Sequence, residues 1–133
     1  MSKDIGRSEA VTKGVRIIAQ SYFVPDRSNA EQNQYFFAYK IQIINEGPEP
    51  VRLINRHWVI VDSKGHIEEV KGAGVVGEQP RLLPSESFEY TSACPLTVPT
   101  GHMQGTYEMV KDDGTSFLAE IGRFQLAAPF TMN

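Results

Sequence analysis

One cysteine, Cys94, stands in a chain of 133 residues. A lone thiol excludes an internal disulfide and any zinc site built on paired cysteines, so no metal is assigned from it. It also fits a reducing compartment such as the cytoplasm. Excess charge of either sign is missing. The 13 Lys and Arg against 16 Asp and Glu give a net charge of −3, which offers no footprint for nucleic acid or an anionic membrane surface. No apolar run approaches the ~20 residues of a membrane-spanning helix, and the opening MSKDIGRSEA lacks the apolar segment of a signal peptide. Sustained 3.6-residue apolar spacing is absent, as are repeats and low-complexity stretches. What remains is a soluble, cytoplasmic single domain over residues 1–133, with an ordered core at about 10–128 and loosely held ends at 1–9 and 128–133.

Alternation with period two fills the space that helices leave. Val11, Val15, Ile17 and Ala19 fall on one side of 11–21, and Phe37, Tyr39, Ile41 and Ile43 on one side of the next run. Phe88 with Tyr90, then Met103 with Tyr107 and Met109, repeat the pattern. The turn-forming segments NEGPEP (45–50), DSKG (62–65) and DDG (112–114) lie between such runs and predict hairpins. In the last run Phe117, Ala119 and Ile121 are out of phase with Phe124 and Leu126, and a β-bulge at Gly122-Arg123 restores both sets to one face. About seven strands result, at 11–22, 34–45, 51–62, 66–71, 87–94, 103–111 and 116–126. Short strands separated by turns predict an all-β antiparallel β-sandwich.

The segment GAGVVGEQP (72–80) carries Gly72, Gly74 and Gly77 at dinucleotide-loop spacing. That spacing works where a helix starts straight after the glycines and offers its N-terminal N–H groups to a pyrophosphate. Pro80 and Pro84 exclude a regular helix here, so the dinucleotide reading fails. A weaker one survives, an anion nest of glycine amides with Arg81 beside it. If successive strands alternate in direction, turns 45–50 and 112–114 join this loop at one end of the sandwich. Glu46, Glu49, Glu78, Asp112 and Asp113 then oppose an anion, with Lys71, Arg81 and Lys111 offsetting them in part. The bland role for the glycines is backbone freedom in a long connection. That connection, 72–86, is long for a compact domain, apolar and proline-bearing, and reads as a protein-binding edge; loop 94–102 is similar but lies at the other end.

Arg56-His57-Trp58 lies inside the third run, with Trp58 expected in the core and Arg56 and His57 on a contact face. His57 has no nucleophile assigned to it, and its pairing with Cys94 rests on no spacing argument. Asp62, His66 and His102 share the end opposite the glycines and form a weak divalent-metal candidate without the close spacing of a true site. No catalytic constellation and no requirement for a cofactor emerge. The expected interaction residues are Arg56, His57, Glu78, Gln79, Pro80 and Arg81, toward a protein partner; a homodimer stays open.

The order of YFFAYKIQIINEG, VRLINRHWVIVDSKGHIEEVKGAGVVGEQPRLLPSESFEYTSACPL, PTGHMQGTYEMVKDDGTSF and FQLAAPF strongly resembles the bacterial ApaG family, over about residues 11–130. The resemblance implies an immunoglobulin/fibronectin-III-like sandwich and a non-enzymatic domain linked to cobalt resistance and magnesium efflux. In that family the gene often neighbours a diadenosine tetraphosphate hydrolase. The domain recurs in F-box and DNA-polymerase-interacting proteins, where an interaction role is inferred. The competing expectation is a sensor binding a nucleotide polyphosphate or a divalent metal. Pro84-Ser85-Glu86 stands where the family usually has Pro-Gly, and Ala93-Cys94 where Ser-Gly is common.

Overall fold

The computed structural model describes residues 4–129. The expected loose ends at 1–3 and 130–133 lie outside them. Among the described residues nine strands form: β1 (Arg7–Thr12), β2 (Val15–Phe23), β3 (Tyr35–Asn45), β4 (Val51–Asp62), β5 (Ile67–Ala73), β6 (Arg81–Leu82), β7 (Ser87–Leu96), β8 (Thr100–Lys111) and β9 (Ser116–Ala127). Two short 3-10 turns, Pro25–Arg27 and Ala30–Gln32, lie between β2 and β3, and no α-helix occurs among the described residues. One sheet runs β1-β2-β3-β7 and the other β5-β4-β8-β9, with β6 added beside β4, and every pairing is antiparallel. The inner faces meet as the alternation predicts. Val15, Ile17, Ile41 and Ile43 from one sheet and Leu53, Tyr107, Met109 and Leu126 from the other are fully or almost fully buried.

Four expectations about the chain's course change. Run 11–22 is two strands, because Lys13 and Gly14 both take positive φ (47° and 83°) and close a two-residue turn. Val11 therefore lies opposite Arg16 and is half exposed, away from Val15, Ile17 and Ala19. Strand β1 also reaches back to Arg7, into the segment expected to be loose. Segment 45–50 passes from one sheet to the other instead of closing a hairpin, whereas 62–65 and 112–114 do close hairpins. Loop 94–102 shrinks to Thr97–Pro99, since β7 continues to Leu96 and β8 begins at Thr100. The bulge in β9 falls as predicted: Met103 pairs with Phe124 and Gly105 with Ile121, so Gly122 and Arg123 together oppose Gln104.

Trp58 is 2% exposed and meets Tyr39, Tyr107 and Phe124 with ring centroids at 5.3, 6.3 and 6.1 Å, each close to edge-on. Behind it the hydroxyls of Tyr90 and Tyr107 hydrogen-bond to each other. The two edges of the sandwich differ. At one, β1 and β2 are stitched to β9: Ser8 Oγ donates to the Gly122 carbonyl and Ser21 Oγ to the Gln125 carbonyl, both at 2.7 Å. At the other, β5 and β7 each end their sheet and no hydrogen bond joins them among the described residues.

Asn45, which reads in sequence as the start of a turn, is a buried polar knot at 1% exposure. Its side-chain amide donates to the carbonyls of Glu49 (2.8 Å) and Leu82 (3.0 Å), and its Oδ1 accepts from Gly47 N–H (3.0 Å). Its backbone takes two more bonds, to Glu86 and from Ser85. The crossover, β6 and the entry to β7 thus converge on one side chain.

Candidate functional site

The connection from β5 to β7 is built on a fault in β4. Leu53 pairs with Met109 and Asn55 with Glu108, leaving Ile54 as an extra residue out of step with β8. Its carbonyl takes two bonds from the connection, from Gly74 N–H (2.8 Å) and Gln79 Nε2 (3.0 Å). Leu53 N–H then donates to the Pro80 carbonyl (3.0 Å), and Arg81–Leu82 pairs with Val51–Arg52 as β6. Between these anchors Val75 and Glu78 exchange both backbone bonds (2.8 and 2.9 Å) across Val76 and Gly77. Positive φ at both central residues, 42° and 81°, fits a type I′ turn. A Cβ on Gly74 would run into the Glu78 carbonyl, so glycine is required there. The long loop is a second small hairpin clamped to β4.

Arg56 supplies a further clamp. It pairs in register with Gly72, and its Nη1 donates to the carbonyls of Ala73 and Gly74, each at 3.0 Å. A Cβ on Gly72 would stand 3.0 Å from that guanidinium, so the glycine makes room for the arginine. Arg56 and Trp58 therefore share the inner side of β4. His57, one residue on, faces out and meets Glu69 Oε1 at 2.7 Å. On that outer side a groove of about 470 Å³ is lined by Asn55, His57, Lys71, Thr106, Glu108 and exposed Leu118, among others. Arg56 lines this groove together with His57, and it also lines a smaller cleft between the sheets.

Strand alternation does bring turns 45–50 and 112–114 to the loop's end. Arg81 pairs with Asp112 through two contacts (Nε–Oδ1 3.1 Å, Nη2–Oδ2 2.5 Å), and the guanidinium holds the Asp112 carboxyl below its ordinary range. Lys111 lies 4.0 Å from Glu49, Glu46 pairs with Arg16 at 2.9 Å, and Asp113 accepts from Thr115. Arg81 is therefore engaged by a carboxylate. Gly72 sits inside β5 and Gly74 donates to Ile54, so two of the three glycines belong to the sheet. Gly77, at the hairpin tip, is the glycine of the three outside these pairings.

The other candidates stay apart. Cys94 is 4% exposed on the inner face, with burial pushing its thiol up to about 12, while His57 faces outward. Asp62 Oδ1 accepts the N–H groups of Lys64 (2.9 Å) and His66 (3.1 Å). His102, opposite Val61, is held below its ordinary range by burial and by Arg123. No group of three potential metal ligands forms among the described residues. Two features escaped the sequence reading. Val76 is 56% exposed at the hairpin tip, and a Val-Gly pair gives no type I′ signal of the Asn-Gly kind. Ser85 has a φ of 77°, at the position where the related family usually carries glycine; that departure from Pro-Gly was the available clue.

Two antiparallel sheets facing each other across one core, with a clamped hairpin at one end, define a fibronectin-III-like β-sandwich domain. The chain belongs to the ApaG family. The family model described as the ApaG domain (DUF525) matches residues 25–111. Protein ApaG of Anaeromyxobacter dehalogenans (strain 2CP-C) is 49% identical over 126 residues, covering 95% of this chain and 99% of that protein. Protein ApaG of Methylobacterium nodulans is 50% identical over 121 residues, covering 91% and 93%. The solved structure of an ApaA protein from Bordetella pertussis superposes with a TM-score of 0.85 at 46% identity, covering 86% of this chain and 94% of that one. No helix among the described residues is long and apolar enough to cross a membrane.

Proposed function

We propose that the domain is a non-catalytic binding module of the cytoplasm that presents the hairpin tip Val76-Gly77-Glu78 to a protein partner. The observation that carries this is Val76, a β-branched residue held at a φ of 42° and left 56% exposed. Such a conformation is unfavourable for valine. It is maintained here by the clamps from Ile54, Gln79 and Arg56, which pre-shape an apolar tip and reduce the ordering that binding would require. Gln79, Pro80 and Arg81 then act as the frame, and Val76 and Glu78 as the contact. The family's link to cobalt resistance and magnesium efflux becomes a question of which partner the tip engages. The sensor reading has less support, because Gly74 and Arg81 already have protein partners.

The test separates contact from stability. Val76→Asn creates the Asn-Gly pair that type I′ turns favour and is expected to stabilise the domain by about 1 kcal/mol, read as a melting rise of roughly 3–5 °C. The same change should abolish photocrosslinking of a partner from a probe placed at position 78. Ser85→Gly relieves the other left-handed residue of this connection and should also stabilise by up to about 1 kcal/mol, with crosslinking unchanged. Crosslinking that survives Val76→Asn and Val76→Asp alike would rule out the tip as the contact.

A further inference from the structure

The unstitched edge of the sandwich opens into a second site, independent of the hairpin tip. Between the sheets, on the β5/β7 side, lies a cleft of about 180 Å³ lined by Tyr39, Arg56, Trp58, Val70, Ser92 and Cys94, among others. Its walls are mostly apolar or aromatic and well buried: Trp58 is 2% exposed, Cys94 4% and Tyr39 6%. Two groups in it lack the partner their chemistry calls for. The Trp58 indole Nε1–H, which can only donate, is buried and has no acceptor. Arg56 has bonds to two backbone carbonyls but forms no ion pair with any carboxylate among the described residues. Arg56 lines the cleft from β4, beside Trp58. Tyr39 and Ser92 line it from the opposite sheet. Exposed Glu68 stands two residues before Val70 on β5, and its charge adds to burial in raising the Cys94 thiol.

A cation without an anion, set among apolar walls, calls for one kind of occupant. We infer that the cleft binds a small monocarboxylate with an apolar body, its carboxylate facing Arg56 while the body rests on Val70, Cys94 and Tyr39. At about 30 Å³ per water the space holds roughly six waters, which limits the occupant to a short branched or cyclic acid. Polyphosphates are too large and too polar for it.

The chain has a single tryptophan, so it gives one indole N–H resonance and one fluorophore, both from a residue that lines the cleft. Titration of the whole domain with 4-methylpentanoate should move that resonance saturably, with a Kd on the order of 1 mM. The matching amide, 4-methylpentanamide, should bind at least about 10-fold more weakly. Arg56→Met should lose about 10-fold for the acid and nothing for the amide, and Arg56→Lys should recover part of the loss. N-acetyl-leucine reports the source of the carboxylate: tighter binding than 4-methylpentanoate makes the occupant the C-terminus of a partner chain, weaker binding a free acid, and either keeps the carboxylate. An indole resonance unmoved at 20 mM acid would overturn the inference. So would an amide that binds as well as the acid, a comparison on the wild-type domain that stands even if Arg56→Met fails to fold.

Discussion

Asn45→Ala is expected to lower the stability of the domain by about 3 kcal/mol, because it leaves several buried polar groups unsatisfied at roughly 1–3 kcal/mol each. For a domain of this size that corresponds to a fall in melting midpoint of roughly 10 °C. The side chain is 1% exposed and makes three hydrogen bonds, to the carbonyls of Glu49 and Leu82 and from Gly47 N–H. Removing it orphans those backbone groups where β3, the crossover and β6 converge, and water has little access to replace the bonds. Asn45→Asp provides the discriminating comparison: it keeps the acceptor for Gly47 but sets a carboxylate against two carbonyls, so it should be at least as damaging as alanine. Urea unfolding of both variants checks this, and a change under 1 kcal/mol for alanine would contradict the knot.

The second large effect is on the alkaline side. Burial raises Tyr39, Tyr90 and Tyr107 above the ordinary tyrosine range and pushes the Cys94 thiol up to about 12. An acid whose pKa is higher in the folded chain than in the unfolded one stabilises the fold fully at pH values below its unfolded pKa. That contribution is lost as pH climbs from the unfolded value toward the folded one. The unfolded values are about 8.5 for the thiol and about 10 for the phenols. Stability should therefore hold to about pH 8.5, begin to fall with the thiol, and drop steeply beyond pH 10. With four groups each worth up to about 1.4 kcal/mol per pH unit, the limiting slope is about 5 kcal/mol per unit. A domain of ordinary stability should then unfold cooperatively between about pH 10.5 and 12. Urea midpoints measured from pH 8 to 11.5, with phenolate absorbance followed in parallel, check this. Tyr39→Phe should flatten the slope by one group's share, and a midpoint independent of pH up to 11.5 would disprove the reading.

Strand positions were legible wherever one face is buried along a whole strand. The run VRLINRHWVIVD was read as a strand at about 51–62, where β4 lies, and the phase break in SFLAEIGRFQL located the β9 bulge. The first run misled because a two-residue turn pairs an odd-numbered residue with an even-numbered one. Val11 thus changes side relative to Val15 without any break in the apolar count. The bulge at Ile54 gave no phase signal, since Leu53 and Trp58 were never required to share a parity. The reach of Arg56 was hidden as well: sequence does not show that a neighbouring glycine clears space for its guanidinium to bond the Ala73 and Gly74 carbonyls. The candidate site was legible as a segment, GAGVVGEQP, but not as a geometry. Its glycines and Gln79 serve the clamp, and the exposed residue between them is a valine that carries no motif.

The extra residue at Ile54 also sets how this domain can tolerate length changes. Every side chain from Asn55 to Asp62 owes its inward or outward direction to that one inserted position. A one-residue deletion there would turn Trp58 toward solvent and His57 toward the core, and would remove the carbonyl on which the hairpin is hung. The exposed turn at Ser63–Lys64 has no such duty and can lengthen by several residues. Drift in chain length is thus expected at the far end of β4, while the near end, where the hairpin sits, is fixed in count as well as in shape.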